Sequence, residues 1–449
     1  MRGMSYTISG DTPVARYRRK VIVFFAAFAL IMVAVGLPGS PARAAAKSSK
    51  PALTIAVVAP FTGVDAVLGP KYTTACYAAT QQIDKLGGVM GQMLKCKNVD
   101  TRGDPADAVP AVRQMYATTK NLAFVIGCTS DEASTVVPIF GANNTVSFCM
   151  TGESEFDSVL FPYFFRLVPP DAADAVAMVA IAQNKGYKKI ALAFGNDAGS
   201  QTFVAPAQGA IAKVAGMSVV ANETLDITAT SFQTEAQNIV SSHPDVILME
   251  ALGAAGVALL SEIYQLNGNK MIPVIGTSAM IDPTFFSGVT AAIPVATFIA
   301  NFDADNQVSS GATPAYPLFK KLVLAQSGKV KGVGNFSTLL SANGTVHLYD
   351  GINIAALAMT MAKSTKGAAY KNDILKIADG VPGATLVTSY AQGLAALKAH
   401  KKIHYEGVGG QYSFDAFHTA FGAFEDAQYT TSGGTISVGT LSAAQLNKL

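Results

Sequence analysis

The chemically useful side chains of this sequence gather where short apolar runs end. Cys128-Thr129-Ser130-Asp131-Glu132 follows one such run and opens a helical pattern. A helix N-terminus has free amides, and hydroxyls from Thr129 and Ser130 beside them suit an oxyanion such as a carboxylate. The same residues equally form an ordinary cap, with Ser130 or Asp131 satisfying the first-turn amides. Asp131 and Glu132 also compete with an anion for the positive end of the helix dipole. Thr151-Gly152-Glu153-Ser154 ends the next run. Gly195-Asn196-Asp197, Glu250-Ala251 and Gly276-Thr277-Ser278 end three later ones. Val246-Ile247-Leu248-Met249 delivers Glu250 to the rim of any cleft these ends enclose, and Glu250, or else Glu153 of the first block, would receive a cationic or hydrogen-bond-donating part of a ligand.

Several chemistries lack their motifs. No G-x-G-x-x-G follows an apolar run and no G-x-x-x-x-G-K-[ST] occurs, so nucleotide chemistry has no phosphate cradle. No G-x-S-x-G elbow is present for a hydrolase. His400 and His404 stand at i, i+4, which could clamp a metal on a helix. Lys398, Lys401 and Lys402 surround them and would repel a cation, so this is a solvated face. Glu153, Glu155 and Asp157 cluster, but nothing assigns them acid and base roles. No enzyme activity, cofactor or metal ion is expected.

The elements that carry these tips alternate. Apolar runs at 53–59, 94–100, 123–127, 146–150 and 164–168 read as strands, with helices at 72–86, 104 onward and up to 140. Pro169-Pro170 interrupts the pattern, which then restarts. Helices at 172–184, 203–215, 232–241 and 255–266 separate strands at 189–194, 217–221, 246–250 and 272–276. Alternation at this spacing means right-handed βαβ units on parallel sheets, in two blocks, so the fold class is α/β. Residues 296–302 (ATFIANF) read as a further strand, after which the chain turns polar. Residues 346–362 form the strongest late helix, and the tail from Gln411 is β-rich. In open parallel sheets ligands sit beyond the carboxyl ends of the strands, where the tips lie.

Composition narrows the setting. Half of the 449 residues are hydrophobic and 14% are charged, enough apolar surface for a core. Six of the 33 basic residues, but only one of the 30 acidic ones, precede residue 45, so the rest of the chain is slightly acidic. That balance argues against a nucleic-acid partner. Arg16 to Lys20 forms a charged n-region, Val21 to Leu37 an apolar one, and Pro38, Gly39 and Pro41 break any helix. Ala42-Arg43-Ala44 then offers a signal-peptidase site, so residues 1–44 read as a cleaved signal peptide. No later stretch approaches the roughly 18 consecutive apolar residues of a membrane span. A periplasmic or other extracytoplasmic location is expected. Cys76, Cys96, Cys128 and Cys149 permit two disulfides in three connectivities, or four buried thiols.

Taken together, IAVVAPFTGVDAVLG, QQIDKLGGVMGQMLKCKNVDTRGDP, FVIGCTS and FFRLVPPD resemble the periplasmic leucine/isoleucine/valine-binding protein family, the type I solute-binding proteins of ABC importers. KKIALAFGNDAGSQTF, PDVILMEALGAAG and MIPVIGTSAM continue in the same order. The resemblance implies two doubly wound parallel-sheet lobes joined by a three-strand hinge. It places residues 45–168 and 303–405 in the first lobe, and 169–302 and 406–449 in the second. It implies capture of a small polar ligand, of the amino acid, amide or carboxylate class, by a monomer that delivers it to a membrane permease. A sensor for a signalling receptor is the alternative, and an exported enzyme on the same fold a lesser one. The family's carboxylate-holding positions fall on Ser130, with Thr129 beside it, and on Thr151 with Glu153. Its ammonium-binding acid falls on Ser278, and its covering aromatic residues on Leu68, Gly199 and Leu252. The second lobe therefore departs from the amino-acid pattern; Glu153 or Glu250 would have to replace the missing acid if the ligand carries an ammonium group, and Asp197 is a further ligand-binding candidate. In the resembling fold the third and fourth strands are neighbours, which implies Cys128–Cys149 and leaves Cys76–Cys96.

N-terminal sequencing of the secreted protein should read from Ala45, or from Lys47 if the cut falls after Ala46. An intact N-terminus embedded in membrane would contradict this.

Overall fold

Leu53–Ala59 (β1) is buried at every position. Its side chains serve two cores: Ile55, Val57 and Ala59 point into one, Ala56 and Val58 into the other. A strand covered on both faces needs no polar alternation. The computed structural model describes residues 50–307, 313–420 and 422–449, so the expected signal peptide lies outside the described residues. Among the described residues no helix is long and apolar enough to cross a membrane.

After β1 come α1 (Leu68–Lys85), β2 (Leu94–Asp100), α2 (Pro105–Thr118), β3 (Leu122–Thr129), α3 (Ser130–Ala142), β4 (Ser147–Met150) and β5 (Phe164–Arg166). The strands form a parallel sheet in the order β2-β1-β3-β4-β5. Asp104 caps α2, its carboxylate accepting from the Ala106 amide at 2.7 Å.

A second winding follows. It comprises α4 (Asp171–Asn184), β6 (Lys189–Gly195), α5 (Ala198–Gln201), α6 (Val204–Lys213), β7 (Ser218–Leu225), α7 (Gln233–Ser241) and β8 (Val246–Glu250). It continues through α8 (Gly253–Leu266), β9 (Val274–Gly276), α9 (Pro283–Ala292), α10 (Val295–Ile299) and β10 (Phe302–Gln307). The chain then returns to the first lobe with α11 (Tyr316–Leu324), α12 (Asn343–Ala362), α13 (Gly367–Ala378), β11 (Thr385–Val387), α14 (Tyr390–Lys398), β12 (Ile403–Gly407) and β13 (Gly410–Gln411). β14 (Phe424–Tyr429), β15 (Thr435–Leu441) and α15 (Ala443–Leu446) close the second lobe. Its sheet runs β15-β14-β10-β9-β8-β6-β7. It is parallel from β7 to β10 and antiparallel through β14 and β15. Both lobes are thus doubly wound α/β units.

Two expectations fail between residues 296 and 307. The apolar run at 296–302 is not a strand, since Pro294 precedes a short helix, α10, and only Phe298 within it is buried. A short apolar run without alternation does not separate helix from strand. The strand is instead the polar FDADNQ of β10, all six residues of which are buried. Its pairing with β9 and β14 keeps residues 303–307 in the second lobe. Val408, Tyr412 and Ala420 pack in the first lobe's core. The boundaries expected at 303 and 406 therefore move beyond Gln307 and Ala420.

Arg166, with no solvent exposure, straps two crossing segments together. Its amide donates to His418 O at 2.9 Å and its carbonyl accepts from Ala420 N at 2.8 Å. Its guanidinium reaches Thr419 Oγ1, the Glu153 carbonyl and Asp157. Disulfides join Cys76 of α1 to Cys96 of β2, and Cys128 of β3 to Cys149 of β4. The second links the strand pair that leads into Ser130 and Gly152.

α12 is buried from Asn343 to Met359, which its apolar composition allows. Its one fully buried carboxylate, Asp350, accepts from Tyr405 and Tyr412 hydroxyls and from the Val408 and Gly409 amides, all at 2.9–3.1 Å. His347 Nδ1 stands 2.8 Å from the Tyr412 oxygen, and burial pushes this imidazole down to about 3, so it is neutral. A Cβ on Gly407 would collide with the Asp350 carboxylate. Asp350→Ala strands two tyrosine hydroxyls and two amides in the core. It should destabilise the protein by about 3 kcal/mol or more, measured by urea denaturation; a loss under about 1 kcal/mol would contradict this account.

Candidate functional site

The carboxyl ends of the two sheets face each other across a cleft of about 850 Å³, open mouth included. Its first-lobe wall begins at the β3–α3 junction. Thr129 is the N-cap of α3, and Glu132 reaches back to the Thr129 amide at 3.1 Å and hydroxyl at 2.5 Å. The cap is thus a Thr129/Glu132 box, and neither Ser130 nor Asp131 supplies it. Ser130 and Asp131 are left facing the cleft. Ser130 Oγ accepts weakly from Gly152 N at 3.4 Å.

Leu68, Thr129, Ser130, Asp197, Glu250 and Ser278 all line this space, as do Gly199 and Leu252. Thr151 and Glu153 do not. Thr151 is fully buried and its hydroxyl accepts from the Glu153 amide. Glu153 turns its carbonyl to Arg166. The residue between them, Gly152, lines the cleft, and a Cβ there would collide with Asp171.

Sequence reasoning missed Asp65, Lys71, Asp171 and Asp174, all of which line the cleft. Asp65 lies in the loop beyond β1, so the strand-end rule that found Ser130 would have reached it. Asp171 and Asp174 occupy the first turn of α4, where acids are ordinary helix-start residues.

Like charges and burial raise these acids together. Burial, then Asp131 and Asp197, pushes Asp65 up to about 8. Burial, then Asp197, lifts Asp131 to about 6. Burial holds Asp171 at about 7 against the hydroxyl of Thr202 and the charge of Arg166. Asp174 is raised well above the carboxylate range by burial and by Asp305. Glu250 is raised by burial, although Thr277 and Ser200 hydroxyls donate to it.

Contacts cross the cleft. Gly199 N of the second lobe donates to Asp131 Oδ1 of the first at 3.1 Å. A Cβ on Gly199 would stand 3.2 Å from Ser130 Cβ, so glycine permits this approach. Lys71 of α1 reaches Asp282 at 3.2 Å and the Ala279 and Ile281 carbonyls at 3.3 Å. Lys71 is the one basic residue among the described cleft-lining residues, and Asp282 already neutralises it.

Residues 52–432 match the periplasmic binding protein family. The chain belongs to this family. A Leu/Ile/Val-binding protein of Rhizobium johnstonii is 25% identical over 58% of this chain and 70% of its own length. Among solved structures, a branched-chain amino acid transporter substrate-binding protein of Streptococcus pneumoniae in complex with isoleucine superposes with a TM-score of 0.68. It is 16% identical and covers 87% of this chain and 99% of its own. An ABC transporter solute-binding protein of R. palustris in complex with benzoate also reaches 0.68, at 17% identity over 87% and 96% of the two chains. At such identities these structures share the fold of a periplasmic binding protein with this chain.

The raised carboxyls set a pH dependence. A carboxyl whose folded pKa exceeds its unfolded one binds more protons when folded, so stability is fullest below the unfolded value and falls as pH rises through the folded one. His347, neutral when folded, has the opposite sign, but only below its unfolded value near 6.5. Between about pH 6.5 and 8 the acids act alone, with Asp65 and Glu153 both titrating near 8. Without ligand, the melting temperature should fall steadily over this window in scanning calorimetry. A rise would contradict the assignment.

Proposed function

We propose that this chain is an exported solute-binding protein that captures a small polar ligand between its lobes and hands it to the permease of an ABC importer. The observation that carries the reading is the cleft itself. Both lobes contribute strand-end residues to it, and Asp131 to Gly199 and Lys71 to Asp282 contacts span it. Two lobes joined by crossing segments can open and close about them, and a ligand held by both walls favours the closed arrangement. Strong association with a permease then follows ligand binding, because only the closed form presents both lobe surfaces in fixed relation. The similar proteins bind leucine-type amino acids or benzoate by their names, which supports a small organic solute here. The protein acts as a monomer in the periplasm and releases its ligand chemically unchanged.

Glu250 is central to this reading. It ends β8, is 6% exposed, and holds its carboxylate toward the cleft between Thr277 and Ser200. A charged amine cannot be enclosed without such a partner, because its desolvation is costly. Ligand identity is found by native mass spectrometry of the protein purified from its host. Affinity is then followed by calorimetry, since the chain has no Trp to report binding. At a hundredfold excess over Kd, the ligand should stabilise the protein by about 2.7 kcal/mol. Glu250→Gln should leave the melting temperature of the ligand-free protein unchanged or higher and weaken binding at least tenfold, about 1.4 kcal/mol. Recovery of a chemically altered compound, or full affinity in the variant, would overturn the respective claim.

A further inference from the structure

The cleft carries an excess of negative groups that a zwitterionic amino acid does not match. Asp65, Asp131, Asp171, Asp174, Asp197 and Glu250 all line it. Asp65, Asp131 and Asp197 interact with one another, as do Asp171, Asp174 and Glu250; Asp197 with Glu250 and Asp131 with Asp171 link the two groups. Among the described residues no three acidic, His or Cys groups converge where one metal ion could be held. Two linked groups of acids suit an organic ligand that carries two cationic groups.

Two further observations point the same way. Asp174 is 7% exposed, lines the cleft, and pairs its carboxyl with that of the buried Asp305. Two buried carboxyls in contact must share a proton, which a cationic ligand group can replace. The site for a ligand carboxylate, in contrast, is already spoiled. Ser130 and the start of α3 are flanked by Asp131 and by Glu132, which occupies the cap. Lys71 is held by Asp282.

Resting on the reading of this cleft as the ligand site, we propose that it takes an organic cation with amine, amidinium or guanidinium groups at both ends and no carboxylate. One end is received by Asp65, Asp131 and Asp197, the other by Glu250, Asp171 and Asp174. Entry of each cationic group replaces protons that the crowded carboxyls otherwise share, so binding releases protons to solvent. The groups facing these carboxyls are Glu132, Glu153, Asp157, Asp305, Tyr72 and Arg166, with Arg166 the one cation among them; Lys71, which also lines the cleft, is paired with Asp282.

The test is titration calorimetry of the mature protein near neutral pH with 1,4-diaminobutane, agmatine, 4-aminobutyrate, L-leucine and benzoate. The proposal expects 1,4-diaminobutane or agmatine to bind at least tenfold tighter than 4-aminobutyrate, whose chain has the same length but ends in a carboxylate. It expects an apparent enthalpy that differs between phosphate and Tris buffers, the signature of proton release. Asp174→Asn should weaken diamine binding tenfold or more. If that variant does not fold, the buffer comparison on the unaltered protein decides. Tighter binding of 4-aminobutyrate, leucine or benzoate, or no binding of either amine at millimolar concentration, overturns the proposal. In the first case the solute-binding reading stands. Should no member of a broad solute library bind either, that reading falls as well.

Discussion

Glu132 has no contact with solvent, yet the first wall of the cleft is arranged around its carboxylate. It accepts from the Thr129 amide and hydroxyl and from the Thr101 hydroxyl, which stands just beyond β2. Burial works against its charge, and three donors offset that cost. The result is a β3–α3 turn whose first free amides are already satisfied. Ser130 and Asp131 are thereby released from capping and present their side chains to the space between the lobes. Were the cap supplied by either of them, the wall would lose one of its polar groups.

The second lobe meets this wall through one glycine and one ion pair. Gly199 brings a backbone amide to Asp131 where any side chain would press on Ser130. Lys71 and Asp282, each side chain 5% exposed, meet across the same boundary. A buried pair of this kind contributes less net stability than its short distance suggests, because both charges are desolvated. Its use is geometric: it pins α1 against the segment before α9 and sets the gap that the acids line.

How much of this could be read beforehand depended on the kind of residue. β1 and β8 are apolar, short and buried on both faces, and their limits at Leu53–Ala59 and Val246–Glu250 emerge from the sequence directly. β10 is equally buried but written in Asp, Asn and Gln, so hydrophobic patterning passes over it and favours the neighbouring α10. The site divides similarly. Ser130, Asp197 and Glu250 lie at strand ends and were found by that rule. Thr151 and Glu153 share the rule but point away, because Arg166 and Asp171 fix the backbone on either side of Gly152. Asp174 could not be found locally, since its meaning comes from Asp305, 131 residues later and on the buried polar strand.

The discontinuity of the first lobe imposes an order on how this chain can be made. Gln82 of α1 donates to the Tyr349 hydroxyl and to Asn353 of α12, both at 2.7 Å. The partners are separated by α4 to β10 of the second lobe. A chain emerging from its N-terminus therefore exposes the inner faces of α1 and β1 until α12 has been synthesised. Closing so long a loop is entropically costly and slow. The first lobe thus cannot fill its core until α12 has formed, and the second still waits for β14 and β15 after that. The same delay leaves the apolar faces of β1 and β3 open to aggregation in the interval.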